Sequence, residues 1–511
     1  MFNNQIYIKL IVIKYKMRLN ILFGGEAGQG PNFLTNLLGS ALVQLGYYVF
    51  YSRDYQSLIR GGHNFNVLTF SENPVYSNES QIDILVCLDA NTEMLHKKDL
   101  KKKGIILKGH KENTYYAGNL FKLLGLDFKF LDELLKKENK YEENIKFAKQ
   151  GYEEIKENIQ IPKSLGKNNY FMNGNQGISQ GAIKSGLDIY YAYPMTPATP
   201  VMEEFAEKQI DNNIIVLELE NEIAVINAAI GSAMTGAKSM VGTSGGGFDL
   251  MTESLSLTGI AEVPMVIYLS QRAGAATGVA TYNGQGDLNI ARHAGHGEFS
   301  RLVFAPGDPK EAQELTSQSF YFSQKYKVPV ILMGDKHLAE SWYTLGEMPK
   351  ITSSDKSTKL IRYNSYEKDD FGSSTEIPEI INKNVERRLR KHEEIKKEEK
   401  KFSMFKVYGK DSNNVVVSWG STKGAIIDAT EELDCKFLQI LYMEPFPEKI
   451  REEIIGKNII LIENNATGQL GDLIAEKTGI FIDNKNKILR YDGRPFLADE
   501  LKKEIEKRLG K

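Results

Sequence analysis

The chain has 511 residues, is 41% hydrophobic and 25% charged, and carries a formal net charge of −2. That length exceeds what one hydrophobic core usually fills, so a multidomain protein is expected, and the balanced charge leaves no nucleic-acid footprint. Its two cysteines, Cys87 and Cys435, are too few for a four-cysteine iron–sulfur site and argue against a disulfide framework, which fits a reducing, cytoplasmic setting.

Residues 1–16 read as a tail or an over-long start. Ile6–Ile13 is apolar, but Lys9 interrupts it and no small-residue cleavage site follows, so no signal peptide is expected. No apolar run is long enough to predict a membrane-spanning helix.

Leu19–Phe23 is a short apolar run that ends in Gly24-Gly25-Glu26-Ala27-Gly28-Gln29-Gly30. A helical stretch, Asn32–Leu45, and a strand-like run, Tyr47–Tyr51, follow, which predicts the opening of a parallel α/β sheet. Further strands are predicted at Phe65–Phe70 and Ile82–Leu88. The glycine loop is neither a dinucleotide fingerprint nor a P-loop. A tight structural turn and an anion contact through Gly25, Gly28 and Gly30 therefore stand as equal readings. Arg53 and Arg60 lie in a turn-rich stretch ending Gly61-Gly62-His63-Asn64. It can hold a phosphate-bearing group or a partner, or be a loop pinned by arginine–carboxylate pairs.

This first region is taken as 17–160, with linker composition at 160–169. A second α/β region, 170–350, has strand candidates at Ile189–Ala192, Ile214–Glu218, Ser239–Gly242, Met265–Ser270 and Val328–Met333. They are short and largely apolar, as strands of a sheet covered on both faces are. Residues 351–402 read as a linker with an exposed amphipathic helix, and 403–511 as a smaller α/β domain.

Three loops and one strand–helix junction of the second region carry chemistry. Tyr193-Pro194-Met195-Thr196-Pro197-Ala198-Thr199-Pro200 follows a strand; its prolines fix φ and present Thr196 on a rigid loop. That is the end of a parallel sheet where ligands bind. Glu218-Leu219-Glu220-Asn221-Glu222 leads into the predicted helix Ile223–Thr235, where capping is the default role for any one glutamate. Gly242-Thr243-Ser244-Gly245-Gly246-Gly247 and Gln271-Arg272-Ala273-Gly274-Ala275-Ala276-Thr277-Gly278 each follow a strand. Arg272 suits a carboxylate, which its guanidinium can bind in bidentate fashion. His293 and His296 lack further metal ligands, and no metal site is expected in this chain.

With these residues in view, the chain resembles the 2-oxoacid:ferredoxin oxidoreductases. Tyr193–Pro197 is similar to the Tyr-Pro-Ile-Thr-Pro signature of their α subunits, with Met195 for Ile. Glu220–Ala224, Thr243–Gly247 and Arg272–Gly278 follow in the family's order, the last reading Ala275-Ala276 for Pro-Ser. Glu463–Leu470 and Asp492–Phe496 resemble the C-terminal domain. The Gly24–Gly30 loop and Arg60–Asn64 resemble the γ subunit, so 17–511 looks like a γ–α fusion.

The resemblance implies a γ-type domain, a thiamine-diphosphate-binding parallel-sheet domain and a transketolase-C-like α/β domain. It implies CoA-dependent oxidative decarboxylation of a 2-oxoacid with reduction of ferredoxin, in a hetero-oligomer. Glu222 would hydrogen-bond the aminopyrimidine ring and promote loss of the thiazolium proton. Tyr193, Thr196, Arg272 and Thr277 would bind substrate. Pro194, Pro197, Ser244 and Gly245 would line the pyrimidine side, and Gly25, Gly28, Gly30 and Arg60 would contact an anion or coenzyme A. The diphosphate, its Mg2+ and the iron–sulfur cluster would sit on a β subunit: no Gly-Asp-Gly motif occurs here, and Gly307-Asp308, Gly334-Asp335 and Gly471-Asp472 are among the Gly-Asp pairs that continue differently. The competing reading is a non-catalytic scaffold or ligand-binding subunit. A nicotinamide dehydrogenase is disfavoured by the glycine spacing at 24–30.

Overall fold

The structure is a computed structural model that describes residues 17–56, 62–110, 112–156, 159, 161, 169–356 and 364–510. The expected tail 1–16, Arg60 and most of the 160–169 linker lie outside the described residues. The strands in chain order begin with β1 (Arg18–Glu26), β2 (Tyr48–Asp54), β3 (His63–Ser71), β4 (Ile82–Cys87), β5 (Leu100–Leu107) and β6 (Tyr170–Asn173). β7 (Ile189–Ala192), β8 (Ile215–Glu218), β9 (Ser239–Thr243), β10 (Met265–Gln271), β11 (Leu302–Phe304), β12 (Pro329–Asp335) and β13 (Trp342–Leu345) follow. The C-terminal strands are β14 (Phe405–Gly409), β15 (Asn414–Trp419), β16 (Lys436–Ile440), β17 (Tyr442–Glu444), β18 (Asn458–Glu463) and β19 (Lys487–Leu489).

The first sheet has the order β5-β4-β1-β3-β2-β13-β6. The predicted strand–helix–strand opening is present, with the helix Pro31–Gln44 between β1 and β2. The expected parallel pairing holds for β1 with β4 and β4 with β5, but β3 lies between β1 and β2 and runs antiparallel to both. The reason is the short β2–β3 connection, since a parallel crossover needs a dozen or more residues. β6 and β13, from either end of 170–350, complete this sheet, β13 pairing with β2 and β6.

The second sheet has the order β17-β11-β12-β10-β9-β7-β8. β8, β7, β9, β10, β12 and β11 are parallel neighbours, and β17 closes the far edge antiparallel. β7, β9, β10 and β12 are buried throughout. Burial on both faces explains why the sequence shows apolar runs without alternation. β8 differs: it is an edge strand that leaves Ile215 and Leu217 exposed.

The third sheet, β14-β16-β15-β18-β19, is parallel apart from β14. The helix Pro378–Lys396 is less exposed than its charge pattern predicts. Arg388 pairs with Glu367, Lys391 lies 2.5 Å from Glu262, His392 lies 3.3 Å from Glu444, and Ile395 is in the core. A carboxylate partner for Arg388 and for Lys391 permits a charged face to pack. Among the described residues no helix is long and apolar enough to cross a membrane.

Candidate active site

Parallel pairing brings the carboxyl ends of β7, β8, β9 and β10 to one edge of the second sheet. The three loops singled out in the sequence, and Glu222, therefore converge there.

Glu222 opens the helix Glu222–Met234, yet it does not cap it. Asn221 is the N-cap, and its Oδ1 accepts from the Ala224 N–H at 2.9 Å. Glu222 is 4% exposed, and its Oε1 has no hydrogen-bond partner among the described residues. A buried carboxylate oxygen left unpaired is costly, and it marks a position where a donor is missing. Gly247 makes room for it: a Cβ there would lie 2.1 Å from Thr243 Oγ1 and 2.5 Å from Glu222 Oε1. The expectation that a glutamate here is a cap is thus corrected, because the shorter Asn221 side chain already satisfies the helix end.

Ser244 precedes the helix Gly245–Ala261 without capping it, and its buried Oγ is also unpaired. Ser244, Gly245 and Gly246 line a cavity of about 200 Å³ with Asp249, Arg272, Gly274, Ala275, Ala276, Asp287 and Ile290. The uncapped amides of a helix start and the Arg272 guanidinium both favour an anion in it. Burial lowers the Arg272 pKa from its ordinary value, and nearby Asp287 opposes that shift. Burial and neighbouring Asp249 push the Asp287 pKa up to about 6, against the pull of Arg272. Gln271 fixes this acid: its Oε1 accepts from the Asp287 N–H at 3.0 Å, while its Nε2 donates to the Gly334 carbonyl at 3.0 Å.

The proline loop touches this cavity through backbone. Arg272 Nη1 donates to the Thr196 carbonyl oxygen at 2.9 Å, so Thr196 meets Arg272 by its main chain and not its hydroxyl. Pro197 is buried, whereas Tyr193 and Pro194 are exposed. Thr277 is also exposed, outside the cavity lining, between Ala276 and Gly278, both at positive φ. Asp249 and Asp287 were not picked out by sequence reading. The run Gly284-Gln285-Gly286-Asp287 looks like a polar turn, and only the fold brings it beside Arg272.

The glycine loop after β1 is a separate place. Gly28 and Gly30 have φ of 92° and 89°, left-handed values that account for them as turn glycines. Beside it stands a cluster that the sequence did not announce. His63 Nε2 and His96 Nε2 are 2.9 Å apart, and His63 Nδ1 faces Asp89 Oδ2 at 3.9 Å; these two atoms and Asn64 Oδ1 are buried without a hydrogen bond among the described residues. Gly25 pairs with Asn64 in the β1–β3 register, which puts these unpaired atoms at the same sheet edge. Among the described residues no cluster of three or more His, Cys, Asp or Glu could hold a metal ion.

Residues 180–407 match the family described as pyruvate flavodoxin/ferredoxin oxidoreductase, thiamine diphosphate-binding, and residues 20–112 match pyruvate ferredoxin/flavodoxin oxidoreductase. The α subunit of a 2-oxoacid:ferredoxin oxidoreductase from Sulfolobus sp is 31% identical, over 96% of this chain and 97% of its own length. A 2-oxoglutarate synthase subunit of Methanocaldococcus jannaschii is 29% identical, over 58% of this chain and 88% of its own. In fold the chain is similar to a 2-oxoglutarate:ferredoxin oxidoreductase from Magnetococcus marinus, at a TM-score of 0.87, 22% identity, and coverage of 97% of this chain and 100% of that one. That structure was determined with 2-oxoglutarate, coenzyme A and succinyl-CoA bound. A likeness over nearly the whole of both chains leaves no large part of either unmatched, and this chain belongs to the family of 2-oxoacid:ferredoxin oxidoreductase α subunits.

Proposed function

We propose that this chain supplies the aminopyrimidine half of a thiamine diphosphate site for CoA-dependent oxidative decarboxylation of a 2-oxoacid. The products are acyl-CoA and CO2, and the electrons go to ferredoxin. The observation that carries this reading is the unpaired, buried Oε1 of Glu222, cradled by Gly247. It fits a ring nitrogen that bears or shares a proton, and the unpaired Ser244 hydroxyl beside the sheet edge fits a polar ring substituent. When bound, thiamine diphosphate supplies a carbon nucleophile and an electron sink for the carboxylate's loss. Glu222 holds the proton at its Oε1 during cofactor activation, the buried setting strengthening that hydrogen bond. Arg272, oriented by the Thr196 carbonyl, receives the substrate carboxylate in the cavity, and Ser244 and Gly245 line its cofactor side. Tyr193, Pro194 and Thr277, exposed here, contact substrate, cofactor or partner only once the other half of the site is in place.

That other half belongs to a β subunit carrying the diphosphate, its Mg2+ and an iron–sulfur cluster. Two of the Gly-Asp pairs in this chain are occupied structurally: Asp308 and Asp335 cap helices at Glu311 and Leu338. Exposed Leu217, Ile223 and Leu250 lie near the carboxyl ends of β8 and β9, and exposed apolar residues of this kind suit a partner surface. We assign a contact with coenzyme A or another anion to Gly25, Gly28 and Gly30, and by the sequence alone to Arg60. We retain the functional division into 17–160, 170–350, 351–402 and 403–511. The test is to purify the native complex without oxygen and follow 2-oxoacid- and CoA-dependent reduction of a viologen dye across a panel of acids. Reduction with a cysteine-rich subunit present is expected; an intact complex inert to every acid favours the scaffold reading.

A further inference from the structure

The loop that carries Arg272 runs on to Asp287 and is held from outside its own domain. The Ala273 N–H donates to the Tyr282 carbonyl at 3.1 Å, and the Tyr282 N–H donates to the Val279 carbonyl at 3.0 Å. Tyr282 thus closes the excursion that begins one residue after Arg272. The next residue, Asn283, donates its N–H to the Gly493 carbonyl at 2.9 Å. Gly493 is at a φ of 81°, and a Cβ there would stand 3.0 Å from Tyr282 Cβ, so the C-terminal segment seats directly on this ring. Arg494 follows. Its guanidinium carbon lies 4.0 Å from the Tyr282 ring centroid, and its Nε lies 3.0 Å from Asp54 Oδ2 at the end of β2. Its carbonyl accepts from Asn464 Nδ2 at 3.0 Å, and the Asn464 carbonyl accepts from the Gln285 N–H at 2.8 Å.

We propose that Arg494 is a positioning residue for 2-oxoacid binding, acting through Tyr282 on the loop that carries Arg272 and tying that loop to the first sheet through Asp54. The proposal rests on Arg272 being the carboxylate-binding residue. The Arg494 side chain is 40% exposed, so its ion pair and its ring contact each contribute little to global stability. Their effect is on where the loop sits, and a displaced Arg272 binds the substrate carboxylate less well.

The experiment uses the complete complex with Arg494→Ala, Arg494→Lys, Asp54→Asn and Arg272→Ala. Steady-state kinetics in 2-oxoacid and in coenzyme A are combined with hydrogen exchange over 272–287. Arg494→Ala is expected to raise the KM for the 2-oxoacid about tenfold, with kcat within about twofold and the coenzyme A dependence unchanged. The amides of Ala273 and Tyr282 exchange faster, and the melting temperature does not move. Arg494→Lys and Asp54→Asn give smaller rises. An Arg494→Ala complex with unaltered KM and exchange, while Arg272→Ala raises KM, overturns the proposal. If Arg272→Ala itself leaves the 2-oxoacid dependence unchanged, the carboxylate assignment fails separately. The exchange measurement then decides whether Arg494 orders the loop.

Discussion

Asn221 and Glu222 divide one helix end between them: Asn221 Oδ1 takes the Ala224 N–H, and Glu222 Oε1 is left buried with no partner. Had the glutamate been the cap, its carboxylate would be committed to the backbone. The adjacent asparagine frees it for a ligand.

The first prediction concerns that division. Asn221→Ala removes the cap, at a cost of about 1 kcal/mol in stability. Turnover falls as well, because Glu222 is drawn toward the vacant helix end, whereas Asn221→Asp retains most activity. Thermal melting and dye reduction of the two variants check this; equal activity in both contradicts the division of roles.

Gly247→Ala places a methyl group against Glu222 Oε1 and Thr243 Oγ1, at separations of 2.5 and 2.1 Å before relaxation. Glu222 must move, and turnover is expected to drop by about 100-fold while the complex still assembles. Dye reduction together with size-exclusion chromatography separates the two effects.

A pH dependence follows from Asp287. Burial and Asp249 raise its pKa to about 6, so it is neutral below that value and anionic above it. Its deprotonation opposes folding: the contribution to stability is full below the ordinary aspartate pKa of about 4 and is lost as pH rises through 6. For function, the new anion offsets Arg272. The KM for the 2-oxoacid is therefore expected to rise a few-fold as pH increases through about 6, and Asp287→Asn flattens this step. A KM profile that is identical in the variant contradicts the coupling.

Much of this was legible in the sequence, and the limits have physical causes. Ile189–Ala192 and Met265–Ser270 read as strands because short apolar runs bounded by Gly and Pro rarely do anything else at that length. The three loops at the carboxyl ends of β7, β9 and β10 were visible because Gly and Pro punctuate strand ends. The place of β3 between β1 and β2 was not, since pairing partners depend on connection length and on the whole sheet. Nor was the contact of Arg494 with Asp54, which joins opposite ends of the chain. Asp287 was missed because an acid in a glycine turn looks solvated until the burial is known.

The histidine pair gives an acid-side prediction. Burial, with its neighbour His63, lowers the His96 pKa to about 4, and burial lowers that of His63 also. Both rings are therefore neutral in the folded chain at neutral pH. The His96 contribution to stability is present above the unfolded value of about 6.5 and is lost as pH falls through about 4. Melting temperature is expected to decline over that window, and more gently in His96→Gln; parallel declines contradict the assignment.

The measurement that bears most directly on the central claim is turnover by the Glu222→Gln complex. Glutamine keeps the size and the buried position but cannot hold the proton. Dye reduction is expected to fall by at least about 100-fold, with subunit composition and melting temperature unchanged. Near-normal turnover in an intact Glu222→Gln complex would remove Glu222 from the chemistry and the thiamine half-site from this chain.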